Sequence, residues 1–221
     1  MIVAARNEAE RIGSTLTALA ATFPGAEIVV ADDASTDATA EVARVHGARV
    51  VSAERSHGKG ANVSAAVETV IHRTAEPLAP TFLLCDGDLG DSAGELAGLV
   101  DAVDSGDADL AIAAFANRVG GGFGVALGFA RWAIENRSGY RAGAPISGQR
   151  ALTAELLRRA CPFAAGYGME IGITVDAVRS GFAVREVELD LTHRATGRTL
   201  GGFLHRARQL RDFVRVWWAR R

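Results

Sequence analysis

Three observations predict a single α/β domain built on a doubly wound, mostly parallel sheet. Short apolar runs alternate with amphipathic segments, several of those runs end abruptly in polar clusters, and no internal repeat or low-complexity linker interrupts the alternation. With 221 residues, 48% of them hydrophobic, the chain can fill one core. A formal net charge of −2 argues against a polyelectrolyte binder, so nucleic acid is not an expected partner. Cys85 and Cys161 are too few for a disulfide framework, and Cys85 falls in a core strand, which points to a reducing cytoplasm. No signal peptide precedes the first strand, and no apolar run is long enough to span a bilayer.

Taken in order, Ile2 to Ala5 is a short apolar strand leading into Arg6-Asn7-Glu8. Ile12, Leu16, Leu19 and Phe23 then recur at helical spacing until Pro24-Gly25 stops them. The second strand, Ile28 to Ala31, ends in Asp32-Asp33-Ala34-Ser35-Thr36-Asp37, where Ser35 or Asp37 can cap a helix carrying Val42 and Val45 and closed by Gly47. A third strand, Arg49 to Ala53, gives way to Ser56-His57-Gly58-Lys59-Gly60 and a helix through Ala66, Val67, Val70 and Ile71. The fourth, Phe82 to Cys85, has the unbroken apolar character of a strand buried on both faces, and it turns acidic within one residue at Asp86, Asp88 and Asp91. Leu96, Leu99, Val100 and Val103 mark the next helix, and Leu110 to Phe115 the fifth strand. The run Gly120-Gly121-Gly122-Phe123-Gly124 is costly to order and reads as a flap over a ligand or as a linker to a helix with Leu127, Trp132 and Ile134. Met169 to Arg179 is a further amphipathic helix.

In a parallel sheet the polar clusters after the second, third and fourth strands must face one crevice at the carboxyl ends of the strands. Asp86 and Asp88, crowded there, repel each other unless a cation lies between them, and their hard oxygens suit Mg²⁺ or Mn²⁺. A lone Asp-x-Asp is also an ordinary acidic loop. The double acid Asp32-Asp33 suits a base or ribose, and Gly58-Lys59-Gly60 places a cation at a helix start, a good position for a phosphate or simply a solvated turn. Neither the dinucleotide Gly-x-Gly-x-x-Gly signature nor the P-loop is present, since Lys59 is followed by Gly60.

Ala4-Ala5-Arg6-Asn7-Glu8, Asp32 to Asp37, Gly58-Lys59-Gly60-Ala61-Asn62 and Asp86-Gly87-Asp88, in this order and spacing, resemble the nucleotide-sugar half of family 2 glycosyltransferases with the GT-A fold. Gly148-Gln149-Arg150, Gly168-Met169-Glu170, and His193-Arg194 followed by Gly197-Arg198 resemble the later motifs of that family's polyprenyl-phosphate and dolichyl-phosphate sugar synthases. Two departures stand out: the usual Asp-Ala-Asp is here Asp86-Gly87-Asp88, and the usual Gly-x-Ser-Lys ending is Gly197-Arg198-Thr199. The resemblance implies sugar transfer with inversion from a UDP- or GDP-sugar, Asp32 or Asp33 holding base and ribose. Arg6, Glu8, Lys59 and Asp86 complete the donor site, and Asp86 and Asp88 the metal site. Asp88 then serves catalysis through the metal, and Glu170, at the start of its helix, is the candidate base if the acceptor offers a hydroxyl. Acids are also favoured in a first helical turn for structural reasons. If the acceptor attacks through a phosphate no base is needed, and Gln149, Arg150, His193, Arg194 and Arg198 become the acceptor-binding set.

The expected organisation is a GT-A-like domain over residues 1–199, with a nucleotide-sugar half at 1–119 and an acceptor half at 120–199, followed by a basic amphipathic helix at 200–221. In that helix Phe203, Ala207, Leu210, Val214 and Trp217 recur at three or four residues among six arginines, which suits an anionic membrane surface at the inner face of the cell membrane. The same stripe also suits packing on the domain itself or pairing in a homodimer. A polyprenyl phosphate is the expected acceptor. The alternatives are a soluble phosphorylated small molecule, a nucleotide-sugar-binding protein without turnover, and a nucleotidyltransferase.

Overall fold

The apolar runs pair as their alternation requires. In the computed structural model, which describes residues 1–73, 81–115, 124–191 and 200–221, β1 (Ile2–Ala5) lies between β2 (Val29–Asp32) and β4 (Thr81–Asp86). The edge β3 (Arg49–Ser52) follows β2, and all four strands are parallel. With β5 (Leu110–Phe115), β6 (Arg150–Thr153) and β7 (Val184–Leu189) they form one sheet in the order β3-β2-β1-β4-β6-β5-β7. β6 runs antiparallel between β4 and β5, whereas β7 is parallel to β5.

Successive side chains of each strand supply opposite faces of the sheet, which is why β4 is apolar without a break from Phe82 to Cys85. Val3, Val30, Leu83 and Cys85 pack under α1 (Ile12–Thr22), α2 (Thr39–Val45) and α4 (Ala97–Asp104) with Leu16, Leu19, Ala43 and Leu99. Ile2, Val29, Phe82 and Leu84 pack on the other face under α3 (Lys59–Arg73), α6 (Ala154–Ala160) and α7 (Met169–Arg179) with Val67, Leu156 and Ile173.

A third, smaller cluster joins α5 (Val125–Ser138) and α8 (Leu200–Ala219) to α7 through Ala130, Ile134, Ile171, Val175, Phe213 and Val216. The face that packs on the domain is therefore not the expected stripe but the one beside it: Phe213 and Val216 are buried, whereas Val214 is exposed and Leu210 and Trp217 are half-buried. Polar contacts fix the same helix: Trp217 Nε1 donates to Asn136 Oδ1 at 2.9 Å, Arg137 Nε donates to the Trp217 carbonyl at 2.9 Å, and Arg220 grips both carboxylate oxygens of Asp176 at 2.7 and 2.5 Å. No helix among the described residues is long and apolar enough to cross a membrane.

From β1 the chain winds to β2 and β3 on one side, then returns to β4 on the other. Strand order therefore reverses between β1 and β4, and a ligand crevice opens outside their carboxyl ends.

Candidate functional site

The loops that leave β1, β2, β3 and β4 are stitched to one another by short hydrogen bonds. The Asp33 and Gly87 amides donate to the carbonyls of Ala5 and Ala4 at 3.0 and 2.9 Å, which carries the β1 register into both neighbouring loops. Asn7 takes a left-handed conformation, φ 56°, in which its side chain accepts the Thr36 amide at 2.8 Å and its own amide donates to Ser35 Oγ at 3.0 Å. Ala34 shares that φ without any such side chain, a strained position in the crevice wall. Asp37 accepts the Thr39 amide at the start of α2, and the Thr39 hydroxyl holds its carboxyl below the usual range. Neither capping candidate occupies the N-cap, which is Ala38: Asp37 accepts the first helical amide from one residue outside it, and Ser35 bridges loops.

The buried pair Asp32 and Asp33 divides its work. Asp32 accepts the Ser35 amide at 3.2 Å. Asp33 accepts the Ser56 hydroxyl at 2.6 Å and the His57 and Gly58 amides at 2.9 and 3.3 Å, with Arg6 Nη1 at 3.6 Å. Arg6 also donates to Ser56 Oγ at 2.6 Å, so Ser56, which sequence reading passed over inside its own motif, is the junction of three loops. The Glu8 amide donates to Thr39 Oγ1 at 2.8 Å. Asn7, Glu8, Glu10, Arg11 and Asp37 line a cavity of about 320 Å³ beside this wall, and Arg11 Nη1 reaches the Asp88 carbonyl at 3.0 Å.

Lys59 occupies the centre. Its ammonium lies 2.7 Å from Asp86 Oδ1 and 3.0 Å from Glu170 Oε1, which joins the third and fourth strand ends to the start of α7. Burial alone would lower its pKa, but the two carboxylates outweigh that effect and hold the ammonium above its ordinary value. Gln149 Nε2 donates to Asp86 Oδ2 at 3.2 Å, so both oxygens of Asp86 are engaged. A side chain at Gly148 would overlap Lys59 Nζ and Asp86 Oδ2, which explains the glycine before Gln149.

The glycines around Lys59 have a packing cause. A Cβ at Gly60 would run into the Ala164 carbonyl, and one at Gly58 would sit 3.1 Å from Gly166 Cα. They let α3 approach the segment that precedes Glu170, where sequence reading saw room for a phosphate.

Arg150 is fully buried behind this centre, so it does not line the crevice. Its Nε donates to the Ser147 carbonyl at 2.8 Å and its Nη1 to Thr174 Oγ1 at 2.9 Å, while Thr174 Oγ1 donates to the Glu170 carbonyl at 2.9 Å. Burial pushes the guanidinium down to about 10, against the pull of Glu170 and Glu186. Arg150 Nη2, Ser147 Oγ and Gln149 Oε1 are buried without hydrogen-bond partners among the described residues. Thr174, four residues after Glu170 on the same helix face, was legible only as core. His193, Arg194 and Arg198, with residues 120–123 of the glycine run, lie outside the described residues.

Asp86 and Asp88 stand half-buried at the lip of the crevice. Among the described residues no group of three or more His, Cys, Asp or Glu forms a metal cage. Two hard carboxylates at an open rim nevertheless fit Mg²⁺ or Mn²⁺, which commonly binds through one or two carboxylates and completes its shell with substrate phosphates and water. Asp86 would share itself between that ion and Lys59.

Residues 1–161 match the family described as glycosyl transferase family 2. No curated protein matches the chain. Among solved structures, glucosyl-3-phosphoglycerate synthase from Mycobacterium tuberculosis with Mn²⁺, UDP-glucose and phosphoglyceric acid is similar at 26% identity and TM-score 0.78, covering 99% of this chain and 78% of that one. The same enzyme with Mn²⁺, UDP and glucosyl-3-phosphoglycerate is similar at 27% identity and TM-score 0.75 with the same coverage. Its complex with Mg²⁺ and UDP is similar at 26% identity and TM-score 0.78, covering 99% and 77%. The family match over more than half of the sequence, on a sheet wound as a GT-A domain, establishes that this chain belongs to glycosyl transferase family 2 and is a glycosyltransferase.

Proposed function

We propose that this glycosyltransferase moves a sugar from a nucleotide-sugar donor to a small phosphorylated acceptor, with Mg²⁺ or Mn²⁺ held by Asp86 and Asp88. The observation that carries the proposal is the Lys59 ammonium, fixed between Asp86 and Glu170 at the carboxyl edge of β4 where strand order reverses. A nucleoside diphosphate leaving from that crevice gains negative charge, and a pre-aimed ammonium stabilises it without reorganising. The divalent ion, when bound, supplies Lewis-acid stabilisation of the same leaving group. Arg6, Glu8, Asp32 and Asp33 form the wall for base and ribose, with Asp33 acting by holding the Ser56–Gly58 loop. Glu170 is the fixed counter-ion that aims Lys59, and it is free to accept a proton from an acceptor hydroxyl only when Lys59 rests on Asp86 alone. Gln149 orients Asp86, and Arg150 supports Glu170 through Thr174.

Two observations support the choice of acceptor. The similar synthase was crystallised with phosphoglyceric acid and UDP-glucose, and Phe213 and Val216 of the C-terminal helix are buried within the domain. A polyprenyl phosphate is the second reading, favoured by Trp218 and Val214, which leave 57% and 42% of their surface exposed on the same helix. The test begins with thermal unfolding against UDP and GDP, with and without Mn²⁺ or Mg²⁺. A ligand at about a hundred times its dissociation constant adds roughly 2.7 kcal/mol, and one diphosphate should win only with metal. Diphosphate release is then measured with phosphoglyceric acid and with polyprenyl phosphate in anionic vesicles. Turnover on the lipid alone would move the assignment to the second reading. Absence of any nucleotide shift would sink the donor site, and release of pyrophosphate would identify a nucleotidyltransferase.

A further inference from the structure

The C-terminal helix bears, through described side chains, on the backbone that presents Glu170. That backbone, residues 163–170, is sandwiched. On one side stands α3: Gly58 and Gly60 leave no room for a side chain beneath Gly166 and Ala164, and Ser64 Oγ accepts the Phe163 amide at 2.8 Å. On the other stands α8. Gly166, at φ +63°, faces the Asp212 carboxylate, the Tyr167 amide donates to Asp212 Oδ2 at 3.4 Å, and Val216 fills the space a side chain at Gly168 would need. Asp212 is almost buried despite its charge, and Arg211 and Arg215 of the same helix balance it at 3.3 and 3.9 Å.

The Lys59–Glu170 contact spans the same sandwich. Lys59 opens α3 on one side of the segment, and Glu170 follows Gly168 by two residues. We propose that α8 is part of the catalytic apparatus: Val216 and Asp212 are positioning residues that set the height of the turn at 166–170, and through it the seating of Glu170 on Lys59. The inference rests on the reading of Lys59 given above. A helix that merely covered apolar surface would not need a glycine at each of these two points; here the turn is glycine at 166 and 168, where Asp212 and Val216 meet it.

The test exchanges volume across the contact in the full chain. Gly168 has φ −82°, which alanine adopts freely, so Gly168→Ala adds a methyl group against Val216 without backbone strain. Displacing the turn by about 1 Å should lower kcat by roughly 10- to 100-fold. Nucleoside diphosphate affinity, set by the base and ribose wall and by the metal at Asp86 and Asp88, none of which the turn carries, should stay within about threefold. Adding Val216→Ala makes room for that methyl and should recover most of the lost kcat. Loss and recovery of kcat at constant nucleoside diphosphate affinity is the readout that a merely structural helix does not produce. A folded Gly168→Ala with wild-type kcat, or a double variant as slow as the single one, would overturn the proposal. If Gly168→Ala does not fold, Val216→Leu presses on the turn from the other side and the same two readings apply. A wild-type protein silent with every donor would instead sink the transferase reading, so the two failures are distinct.

Discussion

Replacing Lys59 by methionine removes the one cation that two carboxylates share, and the loss can be sized from burial. Glu170 keeps only 7% of its side-chain surface exposed, whereas Asp86 keeps 33% and retains the Gln149 amide. Removing one partner of a fully buried ion pair typically costs about 3–5 kcal/mol because the other charge is left uncompensated. With one carboxylate half-solvated, the lower end applies, about 3 kcal/mol. For a chain of this length each kcal/mol moves Tm by roughly 2–4 °C, so Lys59→Met should melt about 6–12 °C below wild type. The penalty falls on Glu170, so adding Glu170→Gln should return about 1–2 kcal/mol. Thermal unfolding of the four proteins, wild type, each single variant and the double variant, provides the cycle. Turnover behaves differently: the single and double variants should both lose about a hundredfold or more, because neither carries the ammonium. If Glu170→Gln deepened the instability of Lys59→Met, or if Lys59→Met melted with wild type, the three charges would not form a unit.

Asp88→Ala should leave the fold intact and lower turnover by roughly a hundredfold or more, with the stabilisation by UDP or GDP no longer dependent on metal; an unchanged rate would remove Asp88 from the site. Gly148→Ala presses a methyl group on Lys59 Nζ and Asp86 Oδ2, two movable chain ends, so it should slow turnover about tenfold while costing under about 1 kcal/mol of stability. Gly60→Ala meets the Ala164 carbonyl instead, and by the same comparison should lower stability by about 2 kcal/mol or more. Burial and Glu186 push the Tyr140 hydroxyl up to about 12, so folded protein retains a proton that the unfolded chain releases near pH 10. That contribution to stability is complete below pH 10 and is lost as pH rises through 12, an effect that ultraviolet titration should show and Tyr140→Phe should abolish.

How far the molecule was legible depended on whether a signal was local. The alternation of β1 to β5 with their helices, and the acidic ends of β2 and β4, needed only neighbouring residues to read, and each strand lies within a residue or two of its expected place. β6 escaped because four residues beginning with arginine carry no periodic signal. β7 escaped because it is an edge strand whose Val-Arg-Glu-Val-Glu-Leu pattern exposes charge, as edge strands do to avoid pairing with another chain.

Glycine was the harder case. Gly58-Lys59-Gly60 reads equally as a phosphate turn or as a close approach of backbones, because a missing side chain says that something comes near without saying what. The answer lies about a hundred residues away at Ala164 and Gly166. The C-terminal stripe posed the converse problem. Its periodicity required a partner for the apolar face, and a membrane, a second subunit and the domain itself all satisfy periodicity. The complementary evidence is the pair Gly166 and Gly168, trimmed to receive Asp212 and Val216, neither of which belongs to the expected stripe, and it acquires meaning only once helix and turn are seen together. An amphipathic helix is therefore best assigned by asking which distant glycines make room for it, and in this chain those glycines lead from α8 through the turn before Glu170 to Lys59.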